Sequence, residues 1–148
     1  MNDFWEKDLD PGYYDKVLKA GLISGKGIQT NWHNITLLNA EQYIENNMKH
    51  LDYACGPGTL IGRYSHADSI GVDIAEQQIE YAKIQYEDKG LFVNMKDFSF
   101  DNYEEYFDVV TVLGLIEFLS DSEILELVKK IHKSLRPCLL YTSPSPRD

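Results

Sequence analysis

Cysteine is nearly absent from this sequence: Cys55 and Cys138 are the two among 148 residues. So sparse a supply rules out a disulfide framework and points to a reducing compartment, the cytosol. Positive charge is scarce as well. Fourteen Lys and Arg stand against 24 Asp and Glu, a formal net charge of −10. Binding to duplex nucleic acid is excluded on that ground, since phosphates demand clustered Lys and Arg, and long-range attraction of acidic substrates is disfavoured. No apolar run is long enough to cross a bilayer, so no membrane insertion is expected. Residues 1–16, MNDFWEKDLDPGYYDK, have neither the basic start nor the apolar centre of a signal peptide. Repeats and low-complexity tracts are missing. His50, His66 and His132 lack metal-ligand spacing and read as surface or helix positions, so no metal site is expected.

What is there is an alternation of hydrophobic periods. Residues 48–54 (MKHLDYA) form a short, mostly apolar run halted by Gly56, Pro57 and Gly58, the pattern of a buried strand and a turn. TLIGRYSHA reads as a short helix and DSIGVDI as a second strand ending at Asp73. Ala75, Ile79, Ala82 and Tyr86 then share one helix face, with Gly90 as a natural stop. LFVNMKD reads as a third strand ending at Asp97, and FDVVTVLGLI as a fourth, apolar enough to be covered on both faces. Ser120, three residues before Glu123, predicts a capping box that opens a helix burying Ile124, Val128, Ile131 and Leu135. Strands alternating with helices predict an α/β fold, a doubly wound parallel sheet. Residues 1–47 differ. They are rich in aromatics expected in a core (Phe4, Trp5, Tyr13, Tyr14, Trp32), and GIQTNWHNITLLNAEQYIENN reads as a helix leading into the first strand, with Ile35, Leu38 and Ile44 among its apolar positions, which together predict a helical cap.

A strand that feeds a helix through glycines aims backbone N–H groups at the turn and lets a ligand approach the main chain. In open parallel sheets the ligand lies beyond the carboxyl ends of the strands. There Asp73 is placed to accept from ribose hydroxyls. Taken alone, Asp73 also fits an N-cap, and Asp97 fits a turn. Two ligands suit the glycines. Gly56, Gly58 and Gly62 make a loosened dinucleotide fingerprint, which implies a nicotinamide-dependent oxidoreductase. That fingerprint accounts neither for Asp52 just before the turn nor for Asp97.

The stretch LDYACGPG resembles instead motif I of the class I S-adenosylmethionine-dependent methyltransferases. Asp52, Cys55, Gly56, Pro57 and Gly58 match, and Ala54 stands where that family usually has a glycine. GVDIA resembles the family's second motif, KDF its third and FDVVTVLGLIEFLSD its fourth-strand motif, so the resemblance spans residues 48–137. It implies a Rossmann-like sheet with strands in the order 3-2-1-4 and S-adenosylmethionine as cofactor. It also implies methyl transfer to an acceptor, with a small molecule favoured. By the same resemblance the turn holds the methionine part and Asp73 the ribose, while Ile74 packs on the adenine. Asp97 would reach the adenine amino group with Phe98 beside it, and Leu113 would border the methyl donor. Such a donor is already activated, so the protein's task is alignment and exclusion of water.

On the acceptor side the candidates are His33, in NWHN of the cap, and Glu117, followed by Phe118 where related enzymes often carry histidine. Packing or capping explains His33 equally well. Cys55 reads as a small buried residue, with no base paired to it. A non-catalytic interaction module on the same fold is a third reading. Residues 138–148, CLLYTSPSPRD, resemble the conceptual translation of a transposase sequencing adaptor, the other reading being a Pro/Ser-rich linker. The expected division is a cap at 1–47, a methyltransferase domain shortened at its carboxyl end at 48–137, and a non-native tail at 138–148. Strand four would then be an exposed edge, with CLLYT as the one piece able to pair with it. The fragment itself is expected to be inactive.

Overall fold

The computed structural model describes residues 4–24, 27–65 and 67–137. Helices α1 (Phe4–Lys7), α2 (Tyr13–Ser24) and α3 (Ile28–Glu41) come first. They are followed by β1 (Lys49–Tyr53), α4 (Thr59–Tyr64), β2 (Asp68–Asp73), α5 (Glu76–Gln85), β3 (Leu91–Asn94), β4 (Val109–Thr111) and α6 (Asp121–Ser134). All strand pairs are parallel, in the order β3-β2-β1-β4. The fold is therefore α/β, as the alternating periods predict, with the Rossmann-like strand order that the resemblance implies. His66 and the tail from Cys138, with its CLLYT strand reading, lie outside the described residues.

Register explains how each face is covered. His50 pairs with Ser69 and Val109, and Asp52 with Gly71 and Thr111, so these side chains share one face. That face packs on Leu18 of α2, Leu37 of α3, Ile44 beyond the end of α3 and Leu60 of α4, and on Ile61, Ile79 and Ala82 from α4 and α5. Leu51, Ile70 and Val72 occupy the opposite face, against Phe107, Leu135 and the aromatic ladder of Phe98, Phe100 and Tyr103. Burial of each such aliphatic side chain contributes about 1.5–3 kcal/mol. The predicted face of α5 is the buried one, from Ala75 through Ile79 and Ala82 to Tyr86.

Several expectations need correction. β3 ends at Asn94, and Asp97 lies in a 3-10 turn (Met95–Asp97), because the Asn94 side chain caps that turn by accepting from Lys96 N at 3.0 Å. Gly90 does not stop α5, which ends at Gln85 with Tyr86 as its cap. It is needed just before β3, where a Cβ would lie 2.9 Å from Ser69 O of the neighbouring strand. β4 is three residues long and half-buried, since its paired neighbour among the described residues is β1 alone. The capping box at Ser120 and Glu123 is formed, but α6 buries Leu127 and leaves Val128 54% exposed. Ile124, Ile131 and Leu135 are half-buried. In α3 it is Leu37 that is buried, while Ile35 and Leu38 are exposed and Trp32 is 74% exposed, so the aromatic-rich start is not uniformly core. The Phe4 and Trp5 side chains lie outside the described residues.

The first helices are fastened to the sheet by polar contacts. Buried Asp15 of α2 accepts from Arg63 Nε at 2.9 Å, Tyr81 Oη at 2.8 Å and Tyr86 Oη at 2.7 Å. Burial pushes its carboxyl up, but these three hydrogen bonds outweigh it and hold the group below the usual range. Buried Gln78 of α5 clasps the preceding loop. Its Oε1 accepts from Gly12 N at 2.9 Å, and its Nε2 donates to Asp10 O at 2.9 Å.

Candidate functional site

The carboxyl ends of four parallel strands lie along one edge, and the turn after β1 is the centre of that edge. Ala54 N and Cys55 N both donate to Val72 O, at 2.8 and 3.0 Å, which draws the turn over the end of β2. Positive φ at Ala54 (69°), Gly56 (53°) and Gly58 (76°) bends the chain into α4. A Cβ on Gly56 would meet nothing within 4 Å, so its outer face is open. Gly58 is different. Its Cβ would lie 2.6 Å from the Phe92 ring and 3.0 Å from Ala82 Cβ, so this glycine serves close packing beneath the turn. Pro57 is buried, and the Cys55 thiol enters the core beside Ile61 and Phe92, where burial pushes its pKa well up. It stays a small core residue, as expected. Gly62 lies within α4, where a Cβ would strike the Tyr86 ring at 2.2 Å.

Asp73 closes the turn. Its Oδ2 accepts from Gly56 N at 2.8 Å and its Oδ1 from Ala75 N at 2.9 Å, so one carboxylate binds both the glycine turn and the entry to α5. Burial pushes its pKa up, and the N–H groups of Ala75, Gly56 and Ile74 pull it back. Beside it a groove of about 530 Å³ is lined by Ile74, Met95, Asn94, Glu76, Lys96 and Glu6, within the usual range for small-molecule sites. Asn94 shapes its floor, donating to Ile74 O at 3.2 Å and Glu76 Oε2 at 2.9 Å.

Asp52 lies on the inner side of the turn, fully buried, with Thr111 Oγ1 donating to its Oδ1 at 2.8 Å. Burial pushes its carboxyl to about 7, Thr111 opposing and the Asp73 charge adding to the rise. Asp97 is exposed on its 3-10 turn. Phe98 stacks on Tyr103 with centroids 5.2 Å apart. Leu113, half-buried, packs on the cluster of Leu18, Leu37 and Leu60. The acceptor-side candidates are not brought together in the same way. Glu117 is exposed in the Ile116–Phe118 turn. His33 stacks on Tyr14 at 5.7 Å, and burial lowers its pKa against the pull of Asp15.

His50 corrects the sequence reading outright: it is fully buried in β1, whereas His132 is exposed on α6 as expected. Sequence reasoning also passed over Asn94, Thr111 and Thr59. Thr59 Oγ1, buried at the first position of α4, has no hydrogen-bond partner among the described residues. Among those residues no group of three or more His, Cys, Asp or Glu could hold a metal ion, and no helix is long and apolar enough to cross a membrane.

A family model described as "Methyltransferase domain" matches residues 51–138. No curated protein matches the sequence. Among solved structures, the chain is similar to a TehB-like SAM-dependent methyltransferase from Corynebacterium glutamicum, with 23% identity and a TM-score of 0.59 over 82% of this chain and 65% of that one. It is similar to a putative S-adenosyl-L-methionine-dependent methyltransferase from Methanococcus maripaludis, with 17% identity and a TM-score of 0.60 over 88% of this chain and 61% of that one. A third is a SAM-dependent methyltransferase from Thiobacillus denitrificans in complex with S-adenosyl-L-homocysteine, with 19% identity and a TM-score of 0.54 over 71% of this chain and 44% of that one. The chain thus spans less than two thirds of the length of each.

Proposed function

The chain belongs to the methyltransferase-domain family, and on that premise we propose that it binds S-adenosylmethionine at the turn of residues 54–58 and serves methyl transfer to a small-molecule acceptor. The observation that carries this reading is Asp73, held by Gly56 N and Ala75 N at the mouth of a turn whose outer face is open. The residues present suit the ligand. Thr59 Oγ1 is a buried polar atom in want of a partner at the same turn. Two carboxylates, Asp52 and Asp73, flank the turn and favour a cationic group.

When bound, the cofactor supplies a methyl group on an activated sulfonium. This chain's own residues orient and enclose it. Ala54, Cys55 and Gly56 lie at the methionine end, their N–H groups held by Val72 O and the Asp73 carboxylate, with Pro57 and Gly58 fixing the bend, and Asp73 accepts from the ribose. Ile74 and Met95 flank the adenine across the groove, with Asp97 and Phe98 on the segment that follows Met95 and Leu113 on the methyl side. Residues 1–47 form a cap on the acceptor side, residues 48–137 the cofactor domain and residues 138–148 an adaptor-like tail. His33 and Glu117 are the acceptor-side candidates. Cys55, buried and unpaired among the described residues, supports a cytosolic compartment. No observation favours the nicotinamide alternative, since Gly62 serves helix packing.

Thermal shift with S-adenosylhomocysteine and with NAD tests the reading. S-adenosylhomocysteine at a hundred times its Kd stabilises the protein by about 2.7 kcal/mol, and NAD leaves it unchanged. Asp73→Asn lowers the affinity by roughly a hundredfold through the loss of a charged acceptor. Stabilisation by NAD alone, or undiminished affinity in Asp73→Asn, would sink the proposal.

A further inference from the structure

We propose that His50 and Thr111 are positioning residues of the cofactor site, closing a buried hydrogen-bond chain from Ser65 that orients the Asp52 carboxyl behind the glycine turn. The inference rests on the cofactor reading above. Five side chains from three strands and the end of α4 form the chain. Ser65 Oγ lies 2.8 Å from Ser69 Oγ, and Ser69 Oγ lies 2.9 Å from His50 Nδ1. His50 Nε2 lies 2.9 Å from Thr111 Oγ1, which lies 2.8 Å from Asp52 Oδ1. Ser65, Ser69, His50 and Asp52 are all buried.

Donor arithmetic fixes the direction. A hydroxyl has one proton to give, and a carboxylate can only accept. With Asp52 ionised, as it is above about pH 7, Thr111 gives its proton to the carboxylate, so His50 must donate to Thr111 from Nε2. His50 Nδ1 is then an acceptor and takes the Ser69 proton, and Ser69 in turn accepts from Ser65. Every donor in the chain points toward Asp52. The histidine is thereby a neutral Nε2–H tautomer, in keeping with burial pushing its pKa down to about 4.

This arrangement stands apart from the sheet's own needs. Apolar residues at 50, 69 and 111 would satisfy a strand face lying under helices, and three polar ones are linked instead. The chain ends at the single carboxyl that lies two residues before the strained Ala54. Asp52 is coupled to Asp73 from the end of β2 and to the Cys55 thiol in the turn. His50 is its titratable neighbour along β1. The charged and titratable groups that α2, α3 and α4 bring to this side, Asp15, His33, Arg63 and Tyr64, interact with one another. A proton and the ammonium group at the ligand's amino-acid end compete for Asp52, so affinity rises with pH over the range in which Asp52 ionises. Removing the Thr111 hydroxyl moves that range upward, because it takes away the hydrogen bond that favours the carboxylate.

Two measurements on the whole chain test this. The first is the nitrogen-15 spectrum of His50 in the ligand-free protein at pH 8.5, where the Nε2–H tautomer is expected. An Nδ1–H tautomer or a mixture overturns the chain, and this measurement needs no variant. The second is calorimetric titration with S-adenosylhomocysteine from pH 5.5 to 8.5 for the native protein, Thr111→Val and Thr111→Ser. The Thr111→Val profile is displaced to higher pH by about one unit, and Thr111→Ser returns it to the native position. Coincident profiles for native protein and Thr111→Val overturn the positioning role. Absence of binding at every pH overturns the cofactor reading and the role with it, while the tautomer still decides whether the chain exists.

Discussion

Ala54 occupies a left-handed conformation, φ 69°, at the first step of the glycine turn. For an L-residue with a Cβ this region costs about 1–2 kcal/mol. Glycine relieves that strain and gives back about 0.4–1 kcal/mol through the greater freedom of the unfolded chain. Ala54→Gly is therefore expected to stabilise the protein by about 0.5–1 kcal/mol, read as a higher urea midpoint at unchanged slope. A lower midpoint would mean that the alanine sits there without strain. The same position gives a backbone reason for the glycine usual in the family that this stretch resembles.

The turn and α4 behave as one element, and Gly58 is where they join. A side chain at that position points inward, toward Phe92 and Ala82, on a backbone with φ 76°. Gly58→Val combines the left-handed penalty with overpacking and is expected to cost more than about 3 kcal/mol. Loss of the cooperative melt followed by far-ultraviolet circular dichroism checks it. A folded Gly58→Val that merely fails to bind ligand would place its side chain on the other face of the turn. The strands, α5 and the capping box of α6 were legible because each repeats a local period or carries a local cap, as Ala75, Ile79 and Ala82 do. The turn and Asp73 were legible for the same reason, lying at strand ends. What could not be read is pairing across the sheet. His50 looks like a surface histidine in one dimension, and its partners Ser69 and Thr111 lie 19 and 61 residues away. Asn94 was missed because an amide that ends a strand and one within it leave the same letter in the sequence.

For the whole molecule, two buried groups set opposing dependences of stability on pH. Asp52 rises from 3.8 to about 7 on folding, so it contributes stability that is present below about 4 and lost as pH climbs through 7. His50 falls from 6.5 to about 4, so its contribution is present above 6.5 and lost as pH falls through 4. Between about 4 and 6.5 the two slopes oppose each other, each about 1.4 kcal/mol per pH unit. His50→Asn removes one of them, and its stability in urea is expected to fall more steeply with rising pH across that window than that of the native protein. Parallel curves for the two proteins would contradict this. The polar fastening of α2 has a consequence on another timescale, that of synthesis. Asp15 is made 71 residues before Tyr86, the last of its three partners. At roughly 5–20 residues per second, about 4–14 s pass before that partner exists. Until then Asp15 lacks one of its three donors, so the fastening of α2 is completed only after β1, α4, β2 and α5 have been made.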